Sequence, residues 1–141
     1  ISSISLRGKI NAADIANAAL AGGVAIGSTC DYASHSGAML IGVIAGAVST
    51  FGFARIQSKQ QRAFRAVDTC GVTNLHGIPG IIGGLAAIVV VEGLNVSSQI
   101  SAIFITIVSA LIFGFLSGKI ISIFGHRNEA YEDAEEFEDA D

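Results

Sequence analysis

Charged residues are scarce in this chain of 141 residues and make up 14% of it, against about 25% in a typical soluble domain. The charge is also uneven, because eight of the twelve acidic residues fall within residues 129–141. Hydrophobic residues account for 51% of the chain, so the remainder is more apolar than a soluble domain can expose. The shortage of charge therefore excludes an ordinary soluble domain and predicts a membrane protein.

Cysteine is nearly absent as well. Cys30 and Cys70 are the only two, which is too few for a disulfide framework, and no CxxC or Cys/His spacing indicates a metal site. The sequence also lacks a P-loop, a dinucleotide-binding fingerprint and a plausible Ser/His/Asp set. We therefore expect that the protein is not an enzyme, that it binds no metal or cofactor, and that it has no nucleic-acid partner.

The start of the chain lacks two features, an initial methionine and a signal peptide. Ile1 comes first, and the basic residues that follow do not lead into an uninterrupted apolar core with a small-residue cleavage site. We expect an internal or C-terminal piece of a longer protein.

Four apolar segments stand out, and their length decides the fold class. A membrane helix needs about 20 residues to cross about 30 Å of hydrocarbon. The predicted spans are 12–30, 37–54, 69–91 and 100–124. The first is rich in Ala and Gly, so we expect other helices around it. The sequence predicts an all-α, polytopic membrane helical bundle.

Each span also carries a Gly-x-x-x-Gly pair, which predicts close helix packing at these positions. The alternative is that membrane helices are simply rich in glycine. The pairs are Gly23/Gly27, Gly42/Gly46, Gly80/Gly84 and Gly114/Gly118.

The basic residues predict the orientation of the spans. All eight Lys and Arg fall before the first span, between the second and third, or at the end of the fourth and beyond. By the positive-inside rule that side is cytosolic, which places both ends of the chain there. We expect a membrane domain over residues 1–126 and an acidic cytosolic tail over 127–141. The tail is either a solvated disordered segment or a regulatory or partner-binding segment with Tyr131 and Phe137 as anchors.

The segment DTCGVTNLHGIPGIIGG, residues 68–84, holds a histidine deep within the third span. Eight residues separate Asp68 from His76, or about 12 Å along a helix axis. An ionisable group at that depth indicates a functional site, although a neutral histidine bonded across helices is the alternative. Asp68 itself is interpreted as an acid that stabilises a helix N-terminus.

The neighbours of His76 predict a narrow, apolar wall. On an α-helix, Val72 at i−4 and Gly80 at i+4 share its face, which suits a small neutral solute better than a hydrated cation. Pro79 lacks an N–H and would free the carbonyl of Leu75, kinking the helix beside the histidine.

These residues resemble the ammonium transporter/Rh family, and its Rh-type branch in particular. The similarity extends over about residues 11–134 in the family's order, and the pattern DxxxxxxxHGxxG is met by Asp68, His76, Gly77 and Gly80. Similar segments are NAALAGGVAIG (17–27), GAMLIGVIAGAVSTFGF (37–53) and YEDA (131–134).

The resemblance implies a trimeric protein of eleven or twelve membrane helices, four of them in this chain, with one pore in each protomer. It implies that His76 is the second of two pore histidines and that Val72 belongs to the pore wall. Asn74, Gly77, Pro79, Gly80 and Asp68 would be supporting residues of the pore helix. The first histidine would lie in N-terminal helices that this chain lacks.

The resemblance implies that the whole protein passes ammonia or ammonium across a lipid bilayer, which would be the plasma membrane. CO2 is a further candidate solute. A non-transporting membrane scaffold or ammonium sensor of the same family is the alternative.

Overall fold

The computed structural model describes residues 1–65 and 67–125. The predicted acidic tail over 127–141 lies outside the described residues. All regular structure within the described part is helical, so the predicted all-α fold is confirmed. The α-helices are α1 (Ser2–Arg7), α2 (Ala12–Ile26), α3 (His35–Phe51), α4 (Gln57–Phe64), α5 (Ile78–Val90) and α6 (Val96–Ser122).

Two π-helical turns interrupt these helices. The first π turn, Gly52–Ile56, joins α3 to α4, and the second π turn, Thr73–Gly77, leads into α5. Such turns close with i→i+5 hydrogen bonds and therefore hold one residue more than an α-helical turn. The first π turn makes one continuous helix of His35–Phe64, which runs ten residues beyond the end of the predicted span at residue 54.

In the part of the chain that the structure describes, three continuous helices are long and apolar enough to cross a membrane, namely His35–Phe64, Thr73–Val90 and Val96–Ser122. The helix α2 is apolar but has only 15 residues, which is short of the length of about 20 that a crossing needs. Its crossing, and with it the arrangement of four spans, stays a prediction.

The chain divides into two compact units, Ile1–Ile103 and Phe104–Asp141. In the first unit, α2 packs against α3 and α5, and α3 also packs against α5. Its core is built from Ala25, Ile41 and Ala45. The described part of the second unit continues α6 as far as Ser122.

A buried carboxylate ties α1 to the start of α2. Asp14 is 3% exposed, and it accepts hydrogen bonds from Ser3 Oγ at 2.8 Å and from Arg7 Nε at 2.8 Å. A second bond from Arg7 Nη2, at 3.1 Å, makes the pair bidentate. Because a buried charge is tolerated only when it is paired and hydrogen-bonded, this acid is satisfied within the chain.

Glycine residues set the spacing of the helices, because without a side chain they let two backbones approach closely. A Cβ built on Gly22 of α2 would lie 3.3 Å from the Cα of Gly42 in α3, and one on Gly46 would lie 3.3 Å from the Cβ of Ala18. The tightest approach is between α5 and α2, where a Cβ on Gly83 would collide with the carbonyl oxygen of Ala25.

The predicted Gly-x-x-x-Gly pairs account for only part of this packing. Gly42 and Gly46 do face α2, but Cβ atoms on Gly23 and Gly80 would meet none of the described residues within 4 Å. The spacing of four residues marks one face of a helix and does not say which face a neighbour covers. The tight contacts at Gly22 and Gly83 were therefore missed.

We expect Gly83→Ala to destabilise the full-length protein by about 1–3 kcal/mol, because the new methyl group must displace the backbone of α2. Thermal unfolding of the purified protein in detergent measures this effect. Gly23→Ala is the matched control, since its methyl group would meet none of the described residues within 4 Å. Equal stability of the two variants would contradict the tight approach of α5 to α2.

Candidate functional site

The second π turn carries His76. The N–H of Ile78 reaches back five residues to the carbonyl of Thr73, and Pro79, the next residue, has no N–H with which to continue an α-helical ladder. The sequence predicted a kinked α-helix at this place. The structure accommodates the proline with a wide turn instead, and such turns are frequent at functional sites.

Asp68 caps the start of this helix. Its Oδ1 accepts from the N–H of Val72 at 2.7 Å, and its Oδ2 accepts from the N–H of Thr73 at 3.0 Å. Both carboxylate oxygens thus satisfy N–H groups that lack a partner at a helix start. Its backbone carbonyl accepts from the side-chain amides of Gln57 and Gln61 at 3.1 and 3.3 Å, which connects α4 to the same point.

The chain turns into the helix at Gly71, where only glycine fits well. Its φ is +65°, and a Cβ there would collide with the ring of Phe53. A left-handed backbone conformation is unfavourable for a residue that has a side chain, whereas glycine adopts it without this cost. This turn places the start of the helix against the ring of Phe53.

One face of α5 and its preceding turn is buried. Leu75, Pro79, Gly83 and Ala87 follow one another at intervals of four residues, and all four are buried. The elements they belong to pack against α2 and α3. This face therefore fixes how α5 is rotated about its axis.

The opposite face is exposed and almost entirely aliphatic. We call it the His76 stripe, and it consists of Val72, His76, Ile81, Leu85 and Val89, all exposed. Val72 is 52% exposed and Val89 is 87% exposed. His76 is the one acidic, basic or histidine residue between positions 71 and 91. The stripe is thus an apolar surface with a single group that can exchange a proton.

The predicted site residues separate onto different faces. His76, Val72 and Gly77 are exposed, whereas Asn74 and Pro79 are buried. Asn74 therefore lies on a different face of the helix from His76, and Asp68 lies at the start of the helix.

The predicted continuation of the histidine's face is displaced by one residue. Gly80 is half-buried, and it is Ile81 that is exposed below His76. A wide turn holds one residue more than an α-helical turn, which accords with this shift. Sequence reasoning missed Ile81, Leu85 and Val89 because it assumed regular α-helical spacing.

No group of three or more His, Cys, Asp or Glu residues that could hold a metal ion occurs in the described part of the chain. His35 begins α3 and is exposed. Cys30 and Cys70 are both free thiols on the surface.

Comparison with known proteins identifies the relatives of this chain. A family model described as the Ammonium Transporter Family matches residues 1–140. The Ammonium transporter Rh type A of Bos taurus is 46% identical over 123 residues, which cover 83% of this chain and 29% of that protein. The Ammonium transporter Rh type C of Homo sapiens is 43% identical over 89 residues, which cover 62% of this chain and 19% of that protein.

A solved structure gives the same result for the fold. It is described as "Nitrosomonas europaea Rh50 and mechanism of conduction by Rhesus protein family of channels". It superposes with a TM-score of 0.87 at 45% identity and covers 99% of this chain and 37% of that chain. The predicted membrane-bundle class and the predicted Rh-type resemblance are both confirmed.

The chain spans less than a third of the length of the curated relatives described above, whose matched shares are 29% and 19%. These relatives are named as transporters, and the solved structure is described as a channel. With apolar helices long enough to cross a bilayer, the chain is part of an integral membrane protein. It belongs to the Ammonium Transporter Family.

Proposed function

We propose that the whole protein passes ammonia or ammonium across a membrane and that the His76 stripe forms one wall of its path. The observation that carries this proposal is the stripe itself, in which aliphatic side chains surround one histidine on an exposed face. The names of the Rh-type relatives support the choice of solute.

The chemistry of the stripe suits this solute. A neutral imidazole has one nitrogen that accepts and one that donates a hydrogen bond, so it can take a proton from NH4+ or bond NH3 directly. Val72 and Leu85 offer no oxygen atoms to replace the water around a metal cation. The wall therefore favours a solute that crosses it as a neutral molecule. CO2 also meets that condition and is the second solute to measure.

The other half of the path comes from outside this chain. We propose that a second histidine, from N-terminal helices, faces His76 across the path. We also propose that the protein is a homotrimer in the plasma membrane and that both ends of this segment are cytosolic. The sorting of the basic residues supports that orientation.

We expect His76→Ala in the full-length protein to lower methylammonium uptake at least about fivefold, because a lost hydrogen bond to a permeating solute costs about 1–3 kcal/mol. Uptake is measured in cells or liposomes and normalised to the folded protein. His35→Ala is the matched control, since His35 is exposed at the start of α3. Unchanged uptake by His76→Ala would remove this residue from the mechanism. Wild-type protein without any uptake would favour the scaffold or sensor function.

We further propose that Asp68 acts as a cap rather than as a solute site, since both of its carboxylate oxygens are bonded to backbone N–H groups. Asp68→Ala should then cost about 0.5–2 kcal/mol of stability and leave uptake per folded molecule unchanged. Asp68→Asn keeps one good acceptor and should retain more stability. Thermal unfolding and uptake assays separate the two effects. A folded Asp68→Asn protein without uptake would show that the charge itself is required.

A further inference from the structure

A cluster of basic residues lies at the end of the long helix His35–Phe64. Lys59 and Arg62 belong to α4, and Arg65 is the residue that ends it. All three are exposed. Residues 32–67 include no Asp or Glu, and none of these three basic side chains forms an ion pair among the described residues. Their positive charge is therefore not neutralised within the described part of the chain.

Two of these residues line the same open cavity. Its volume is about 490 Å³, which falls in the range of about 300–1,000 Å³ that is typical of small-molecule sites. The residues that line it are Ser58, Gln61, Arg62, Arg65 and Val67. The cavity therefore has room for a ligand, and two cationic side chains, a hydroxyl and an amide belong to its walls.

Local bonds hold the two arginines at this cavity. Arg62 Nε donates to the backbone carbonyl of Ser58 at 3.2 Å, which leaves its two terminal nitrogens for a ligand. Arg65 has a φ of +50°, a left-handed conformation that glycine usually adopts at the end of a helix. Such strained conformations cluster at ligand-binding and other functional sites. Arginine thus occupies a position where glycine would suit the backbone better.

The nearest acidic residue along the chain is engaged elsewhere. Both carboxylate oxygens of Asp68 accept from the backbone N–H groups of Val72 and Thr73. The backbone carbonyl of Asp68 accepts from the side-chain amide of Gln61 at 3.3 Å. Asp68 therefore fixes one side chain of the cavity wall, while its own charge is satisfied at the start of the next helix.

The long helix is long enough to carry the cavity to the headgroup layer of a bilayer. It has 30 residues, and about 20 of them suffice to cross about 30 Å of hydrocarbon. Its three Lys and Arg residues all fall within its last ten positions, 55–64. Because the headgroup layer adds about 5–8 Å on each side of the hydrocarbon, these ten positions reach the headgroups and the water beyond them.

We propose that Arg62 and Arg65 bind the phosphate of an anionic phospholipid in this cavity. The planar guanidinium group of arginine can pair with phosphate through two N–H groups at once, and Ser58 adds a hydroxyl. Val67, which is 82% exposed, gives the cavity an apolar wall, and this favours a phosphate that carries hydrocarbon over inorganic phosphate. The lipid site goes beyond the proposed transport and does not depend on it.

The test is lipid binding to the purified full-length protein in detergent, measured by native mass spectrometry. The probes are dioctanoyl phosphatidic acid, dioctanoyl phosphatidylcholine and inorganic phosphate. We expect phosphatidic acid to bind more tightly than phosphatidylcholine, whose headgroup has no net charge, and inorganic phosphate at equal concentration not to displace it. Equal binding of the two lipids would overturn the proposal. Displacement by inorganic phosphate would also overturn it and would assign the cavity to free phosphate.

Substitutions separate a defined site from general surface charge. Arg62→Gln and Arg65→Gln should each weaken the binding of phosphatidic acid at least about fivefold, because each removes a charge-assisted contact. Lys59→Gln is the matched control, since it removes one exposed charge of the same helix outside the cavity lining. It should weaken binding less than about twofold, as an exposed charge contributes little. Equal losses in all three variants would indicate diffuse attraction and contradict the site.

A second measurement requires no variant. In a structure of the full-length protein in nanodiscs that contain phosphatidic acid, we expect phosphate density within hydrogen-bonding distance of Arg62 and Arg65. Lipid phosphates resolved elsewhere on the protein, with none at these two arginines, would overturn the proposal. Neither experiment measures uptake, so a failure of the lipid site is distinguishable from a failure of the proposed transport.

Discussion

The rotation of α5 about its axis depends on one close approach of two backbones. The carbonyl oxygen of Ala25 occupies the place that a side chain at position 83 would need. In a bilayer no hydrophobic effect draws apolar helices together, so they associate through close packing that small residues permit. Because Gly83 must face α2, the residues on the far side of α5 must face away from it. That far side is the His76 stripe.

The two π turns have complementary effects on this arrangement. The second turn accommodates Pro79 and places Ile81, rather than Gly80, on the exposed face below the histidine. The first turn presents Gly52 to the amide of Asn74. The same short segment thus has a polar side chain buried against α3 and an ionisable side chain exposed on the opposite face. Asp68 fixes where the helix begins, through bonds from two backbone N–H groups.

The sequence was sufficient to predict the class of the protein, the helical fold and the family, because scarce charge and long apolar segments follow directly from the membrane environment. The role of His76 in a pore stays a prediction, whereas Asp68, expected at a helix start, does accept hydrogen bonds from two backbone N–H groups there. The sequence did not predict the wide turns, since i→i+5 bonding has no sequence signature beyond a nearby proline. Which glycine meets a neighbour, and whether Asn74 faces inward, depend on helix rotation, and rotation is decided by contacts between distant segments. For that reason the tight contact at Gly83 was missed.

We propose that one face of α5 borders a conduction path, while the opposite face packs against α2 and α3. Cysteine substitution in a cysteine-free, full-length protein, followed by a small water-soluble thiol reagent, tests it most directly. Cysteines at Val72 and Leu85 should react and lose methylammonium uptake, whereas cysteines at Leu75 and Ala87 should stay unreactive. Reaction at the inward positions, with none at the outward ones, would contradict the account.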